Sequence, residues 1–379
     1  MIGRCGALAL ALGVSVACGA APASPMTTPS AAASKSHASP AGFSVAGLTA
    51  IDAAFEPRVF RMNASTLALV TSTSRSWTAY ALDPHARRLS AIRGATSHAA
   101  QEYVTGVRGV PEDAFISIEE SLGRASVRAA TMRVTGGESS RAHEALRGVS
   151  EWANGQRIVL RGGEGPFMDL PPQHFELVNG TVAGPAIPPR VRYAEMAAFP
   201  SGKLFALGRP AAQSAPDAPW FMYVHDGSRE ARAVPLPERL GDASFVEGMG
   251  EPFLTVLLRD SSTGASHVAR WNGASFTTIE LPLDADIVQG SPQGTLWQAS
   301  TREHWVQSTS VANATKRWPL PESAPCRVEI VTSLVALQDD DVWLGVQCQC
   351  DALQSKCGGG AVLTNANTIG ASPITLPSP

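Results

Sequence analysis

Three markers that recur in one register predict an all-β chain: a β-propeller of seven blades, each of four antiparallel strands. An apolar strand start returns at Leu67, Phe115, Ile158, Phe205, Phe253, Trp297 and Trp343, at intervals of 43 to 48 residues. A turn returns at Asp83-Pro84, Gly136-Gly137, Asn179-Gly180, Asp226-Gly227, Asn272-Gly273, Asn313-Ala314 and Asn365-Ala366, at intervals of 41 to 53. A proline after an apolar residue closes repeats at Ile187-Pro188, Leu236-Pro237, Leu281-Pro282, Leu320-Pro321 and Leu376-Pro377. A period of about 46 residues holding four short strands is blade spacing, whereas helical solenoids of similar period need long apolar stretches at 3.6 spacing, which this chain lacks. The second and third repeats are the least regular, so six or eight blades are the alternative counts.

The first element in the chain is a leader, residues 1–18. Arg4 supplies a positive start, and the apolar run Cys5 to Ala17 is too short to span a bilayer as a mature helix. The run ends Val16-Ala17-Cys18, which resembles the bacterial lipobox, and that resemblance implies lipidation of Cys18 and anchoring in the cell envelope. Ser15 stands where the lipobox usually has leucine, and free secretion after Ala20 or Ala23 is the competing reading. Residues 19–42 are almost all Ala, Pro, Ser and Thr, a composition that cannot bury enough apolar surface to offset ordering. They read as a tether with a reach of roughly 25 to 30 Å.

Residues 43–379 then form one domain. Phe43 to Phe55 is a candidate extra strand that completes the last blade, a place that Ile374-Thr375-Leu376 can also fill. The stretch Ser266 to Trp297 shows the repeat unit most clearly: a strand His267 to Trp271, the Asn272-Gly273 turn, a strand Ser275 to Leu281, an inner strand Asp286 to Gly290, a Pro292-Gln293-Gly294 turn and Thr295-Leu296-Trp297. Asn-Gly between β-rich runs reads as a type I′ hairpin with positive φ at both central residues. The innermost strands read as Val59 to Arg61, Tyr103 to Thr105, Glu195 to Ala197, Phe245 to Glu247, Ile287 to Gln289 and Val331 to Ser333. Arg270-Trp271-Asn272-Gly273 and Asp341-Val342-Trp343-Leu344 are similar to degenerate blades of secreted bacterial β-propeller repeat proteins. That resemblance covers roughly residues 57 to 379 and implies a fold, with no activity attached.

Four cysteines, Cys326, Cys348, Cys350 and Cys357, fall in the last repeat and read as disulfides with three possible connectivities. Cys348 and Cys350 point to one side of a strand and so take different partners. One bridge then pins the Cys350 to Cys357 region and the other ties it to Cys326. A four-cysteine zinc site is the alternative, but the paired knuckle spacing is missing.

The 379 residues are 44% hydrophobic with a formal charge of −3 and no basic stripe, which argues against a nucleic-acid binder. Asp339-Asp340-Asp341 reads as a turn rather than a calcium cluster. Gly162 to Gly165 lacks the Lys-Ser/Thr pair and helix of a phosphate loop. His225-Asp226 reads as a hairpin turn, and His267 and His304 show no convergence with a third group. The tryptophans read as packing between blades rather than as carbohydrate platforms.

Within a four-stranded blade the second-to-third loops and the crossovers share one face. Arg161 to Gln173, Arg209 to Pro219 and Cys350 to Gly360 fall there, which makes Asp169, Asp217 and Trp220 the candidate ligand-binding residues. Glu195 and Glu247 are the repeated acidic positions of the innermost strands. The expectation is a monomeric, non-enzymatic binding protein without a cofactor, presenting that face to a protein, peptide or glycan. An extracytoplasmic hydrolase or lyase acting on a polysaccharide or lactone is the alternative.

Overall fold

A computed structural model describes residues 43–48, 56–73, 75–98, 102–121, 127–141, 146–153, 157–162, 174–178, 181–185, 191–199, 201, 203–210, 219–225, 231–237, 242–260, 263, 265–282, 284–322, 326–349, 359–365 and 374–376. The leader, Cys18 and the tether lie outside these residues. Among those described, the regular secondary structure is all strand apart from one turn of 3-10 helix at Glu251–Phe253, and no helix is long and apolar enough to cross a membrane.

The strands follow in chain order. β1 (Ser44–Leu48) precedes a first sheet of β2 (Glu56–Arg61), β3 (Leu67–Ser72), β4 (Trp77–Asp83) and β5 (Arg88–Ser97). The second holds β6 (Glu102–Val110), β7 (Asp113–Ser121), β8 (Val127–Thr135) and β9 (Glu138–Arg141). The third holds β10 (Leu146–Ala153), β11 (Arg157–Gly162), β12 (His174–Val178) and β13 (Thr181–Pro185). The fourth holds β14 (Val191–Ala198), β15 (Leu204–Pro210), β16 (Phe221–His225) and β17 (Arg232–Pro235). The fifth holds β18 (Asp242–Phe245), β19 (Thr255–Arg259), β20 (Ser266–Trp271) and β21 (Phe276–Glu280). The sixth holds β22 (Ile287–Gly290), β23 (Leu296–Ser300), β24 (Trp305–Thr309) and β25 (Thr315–Pro319). The last contains β26 (Val328–Gln338), β27 (Asp341–Cys348), β28 (Gly359–Thr364) and β29 (Ile374–Thr375), with β1 between β28 and β29.

The sequence markers have structural meanings. The apolar marker opens or enters the second strand of each sheet, with one exception: Phe253 sits in the 3-10 turn just before β19. The turn marker joins third to fourth strands in the first six sheets. Its chemistry differs from the type I′ expectation, because the hairpin loop runs from Asn272 to Ser275 and of the pair only Gly273 takes positive φ, at 94°. The Asn272 carboxamide oxygen instead accepts the Ala274 and Ser275 amides at 2.9 and 2.8 Å, an Asx turn. Asn313 does adopt the left-handed region, φ 61°.

The core lies between sheets. One apolar cluster joins the first and second sheets around Trp77, Ile116 and Met132. Others join the fourth to the fifth through Trp220 and Trp271, and the sixth to the last through Trp297 and Leu334. Leu67 and Leu69 of the first sheet pack with Trp343 and Val335 of the last, so sequence-distant ends meet and the ring closes.

Closure uses both chain ends. The expected choice between residues 43–55 and Ile374-Thr375 is resolved by stacking them: β1 pairs antiparallel with β28, Ser44 opposite Thr364, and β29 pairs parallel with β1. Ala46 is fully buried in the closing cluster, and Phe43 meets Trp318 edge-on at 6.3 Å.

Cys326 is disulfide-bonded to Cys348, which selects one partner for Cys326 and removes those two thiols from the zinc alternative. Cys350 and Cys357 lie outside the described residues. The bond ties the start of β26 to the end of β27 and closes a loop of 22 residues. Reduction, or Cys348→Ser, is expected to cost about 3 kcal/mol through the freed entropy of the unfolded chain, read as a lower urea midpoint at unchanged slope.

Candidate functional site: the central channel

Innermost strands β2 and β6 run side by side in one direction, as three contacts from β2 and the turn after it to β6 show. Arg58 reaches the Val104 carbonyl, the Arg61 carbonyl receives Arg108, and Asn63 reaches the Gly109 carbonyl, so residue numbers rise together. β26 follows the same rule against β2, with Thr332 at Pro57, Ser333 at Val59 and Ala336 at Arg61. These parallel strands enclose a cavity of about 270 Å³, lined by residues of β2, β6, β22 and β26 and by the turn after β18. It lies along the later halves of β2, β6 and β26, toward the tight-turn face and away from the face that carries the long second-to-third connections.

Arg61 spans this cavity. Its guanidinium donates to the Gly248 carbonyl at 3.0 Å and to the Ala336 and Leu337 carbonyls, which joins the first sheet to the fifth and the last. Arg108 is buried and donates to the Arg61 carbonyl at 2.6 Å and to the Val107 carbonyl at 3.1 Å. Its other terminal nitrogen stands 3.3 Å from the Glu247 carboxylate, whose side chain is 53% exposed. Gly248 has φ 87°, and a Cβ there would sit 2.2 Å from the Gly290 carbonyl oxygen, so the Glu247-Gly248 turn requires glycine.

Other polar groups of the described inner strands bond between sheets. The Glu195 carboxylate accepts the Phe245 amide of the next inner strand. The Ser333 hydroxyl accepts the Val59 amide at 2.7 Å, and Thr332 donates to the Pro57 carbonyl. The same device recurs farther out, where Arg270 of β20 donates to the Gly294 and Val311 carbonyls of the sixth sheet. Burial pushes the Arg270 guanidinium below its usual range.

The sequence-derived candidates are scattered by comparison. Asp169 and Asp217 lie outside the described residues. Trp220 is buried in the cluster with Phe205 and Met222, with the Arg209 guanidinium 4.5 Å from its ring centre, so it packs two sheets together. The ring turns into the joint between the fourth and fifth sheets. His225 ends β16, His267 lies on β20 and His304 precedes β24, in three different sheets.

The Asp339 to Asp341 run divides its contacts. Asp339 accepts the Ser291 hydroxyl of the sixth sheet, while Asp341 accepts the Trp343 indole N–H at 2.6 Å. Among the described residues no group of three His, Cys, Asp or Glu is placed to hold a metal ion. Burial raises the Asp341 carboxyl above the usual range, against the lowering effect of the Trp343 hydrogen bond and nearby His85. A raised acid binds its proton more tightly folded than unfolded, so its contribution to stability falls as pH rises from the unfolded value through the folded one. Asp341→Asn, which keeps an acceptor for Trp343, is expected to raise Tm at pH 7, with the gain shrinking toward pH 4 in a calorimetric series.

Among the described lining residues, the inner strands thus present one half-exposed carboxylate, Glu247, beside hydrogen bonds that tie neighbouring sheets together. Sequence reasoning found Glu195 and Glu247 but missed Arg61 and Arg108. An arginine one place before a turn carries no signal until the ring brings a carbonyl 187 residues away within reach.

No protein-family model and no curated protein sequence matches the chain. Solved structures do. An oligogalacturonate lyase from Vibrio parahaemolyticus is similar over 85% of this chain and 96% of its own, with TM-score 0.50 and 10% identity. A prolyl endopeptidase is similar over 84% of this chain, which spans 51% of that longer protein, with TM-score 0.50 and 12% identity. The chain is a β-propeller. The β-propeller domain of the Trilobed protease from Pyrococcus furiosus is also similar, at TM-score 0.46 and 12% identity over 84% of this chain and 93% of its own. At such identities the likeness is one of fold alone, and the propeller's work has to be read from its own residues.

Proposed function

We propose that this propeller is a non-enzymatic, extracytoplasmic binding protein that presents its crossover face to a protein, peptide or glycan. The observation that supports it best is the use of the channel's polar side chains. Arg61, Arg108, Glu195, Thr332 and Ser333 bond to backbone groups, nearly all on neighbouring or facing blades, so they act as mortar rather than as free acids, bases or nucleophiles. Catalysis needs proton-transfer groups converging on one reacting atom. Tyr103 and Ile330 mark the binding face. Both are exposed, at 50% and 44%, near the starts of β6 and β26, where the blade crossovers arrive beside the axis.

Export fits the Cys326–Cys348 disulfide, since such bonds persist in oxidising compartments. Lipidation of Cys18 and a tether over residues 19–42 would hold the propeller off an envelope membrane. A lyase or hydrolase acting on a polysaccharide or lactone is the second reading, and the exposed Glu247 carboxylate beside Arg108 is what favours it.

The test is a glycan array and a peptide library probed with the full-length chain. Saturable binding to one class is expected, reduced at least tenfold by Tyr103→Asp with Ile330→Asp while circular dichroism is unchanged. Binding insensitive to both substitutions contradicts this face.

A further inference from the structure

We propose that the central channel is a binding site for one neutral monosaccharide, held by Glu247, Gln289 and Thr105. The cavity lies toward the opposite end of the ring from the crossover face, so the inference stands apart from the partner-binding reading.

Three polar side chains of the cavity keep hydrogen-bonding capacity, whereas Thr332, Ser333 and the Arg61 guanidinium hold backbone groups of other sheets. The Thr105 hydroxyl is exposed and the Gln289 carboxamide half-buried, and neither makes a hydrogen bond among the described residues. Glu247 touches Arg108 at one contact of 3.3 Å and keeps 53% of its side chain in solvent, so its carboxylate has lone pairs to offer. The fold brings these three together. The Gly290 amide, next in the chain to Gln289, donates to the Glu247 carbonyl at 2.7 Å. Arg108, farther along the same strand as Thr105, reaches the Glu247 carboxylate.

Charge selects a neutral ligand. Arg108 spends Nη1 on the Arg61 and Val107 carbonyls and turns Nη2 to Glu247. With that pair left intact, an added carboxylate is repelled by Glu247 and an added ammonium group by Arg108. A hydroxyl meets neither charge penalty. The Glu247 carboxylate accepts O–H groups, while Gln289 and Thr105 each donate and accept, which matches the neighbouring hydroxyls of a sugar.

The walls also suit a sugar ring. Phe60 and Ile287, both half-buried, line the same cavity and offer an apolar surface to the C–H face of the ring. The cavity's 270 Å³ lies just below the range of drug-sized pockets, so it takes a single ring and not a chain.

The experiment is calorimetric titration of the full-length chain with the methyl pyranosides of D-glucose, D-mannose and D-galactose and with N-acetyl-D-glucosamine. The controls are D-glucuronate, D-glucosamine and cyclohexanol, which keeps a six-membered ring with a single hydroxyl. A neutral sugar is expected to bind at a 1:1 ratio, about tenfold tighter than each control. Gln289→Leu and Thr105→Val each remove one neutral hydrogen-bonding group and are expected to weaken that binding about two- to tenfold at unchanged Tm. Both substitutions leave the buried Arg108 and its partners in place. Tyr103→Asp with Ile330→Asp is expected to leave the affinity unchanged, which separates this site from the crossover face. No binding by any of the four sugars, equal binding of a control, or an affinity unchanged in both channel variants overturns the proposal. Loss of binding in the crossover-face variant would move the sugar to that face and overturn it as well.

Discussion

Deleting residues 1–48 is expected to abolish cooperative folding, while deleting 1–42 leaves the thermal transition unchanged. β1 is the strand that both closes the last blade and seats the terminal strand β29. Its loss exposes the β28 edge, removes the buried Phe43 and Ala46, and leaves Ile374 without its partner. Burying a phenylalanine contributes about 1.5 to 3 kcal/mol and each ladder hydrogen bond about 1 kcal/mol net. The sum exceeds about 5 kcal/mol, comparable with the whole stability of an ordinary domain. The shorter chain should elute as aggregate on size exclusion, since a bare strand edge pairs with other chains. Restoring the monomer with a synthetic peptide of residues 42–50 would identify the lost strand as the cause. A monomeric, cooperatively melting deletion variant would show that the ring does not depend on this strand.

Trp297→Ala is expected to lower stability by about 3 to 5 kcal/mol, the range for emptying a buried aromatic site. Trp297 is 1% exposed, stacks on Trp318 at 5.3 Å and 18°, and packs against Leu334 and Val331 of the next blade. Both walls of the resulting cavity are sheet, and sheets pinned by their ladders cannot collapse to fill it, so the cost belongs near the top of that range. Trp297→Phe should cost less than half as much. Urea midpoints measure both, and a loss below about 1 kcal/mol for alanine would mean that the joint between the sixth and last blades is loosely packed.

The repeat was legible because blade strands and their turns obey local chemistry. Leu67, Phe115 and Trp343 recur where a strand must be apolar on both faces, and Asn and Gly recur where the chain must reverse. Closure was not, because it depends on a pairing between Ser44 and Thr364 that local propensity says nothing about. The turn type was missed for a related reason: the Asn272 side chain supplied the hydrogen bonds that a type I′ backbone would have supplied. At the candidate site, Glu247 was legible as an acid on an inner strand. Its partner was not, since Arg108 meets it only after a ring of blades has formed between them. The packing of Trp220 was not legible, because a tryptophan beside a long connection looks the same in sequence whether it faces solvent or the next blade.

The central functional claim is that the propeller holds its partner without changing it. Mass spectrometry of the glycan or peptide recovered after incubation with the full-length chain tests that most directly. The account predicts an unaltered mass after many equivalents have been bound and released. Cleavage fragments, whether carrying an added water or formed by elimination, that accumulate with time and vanish in Glu247→Gln would contradict it and make the channel an active site.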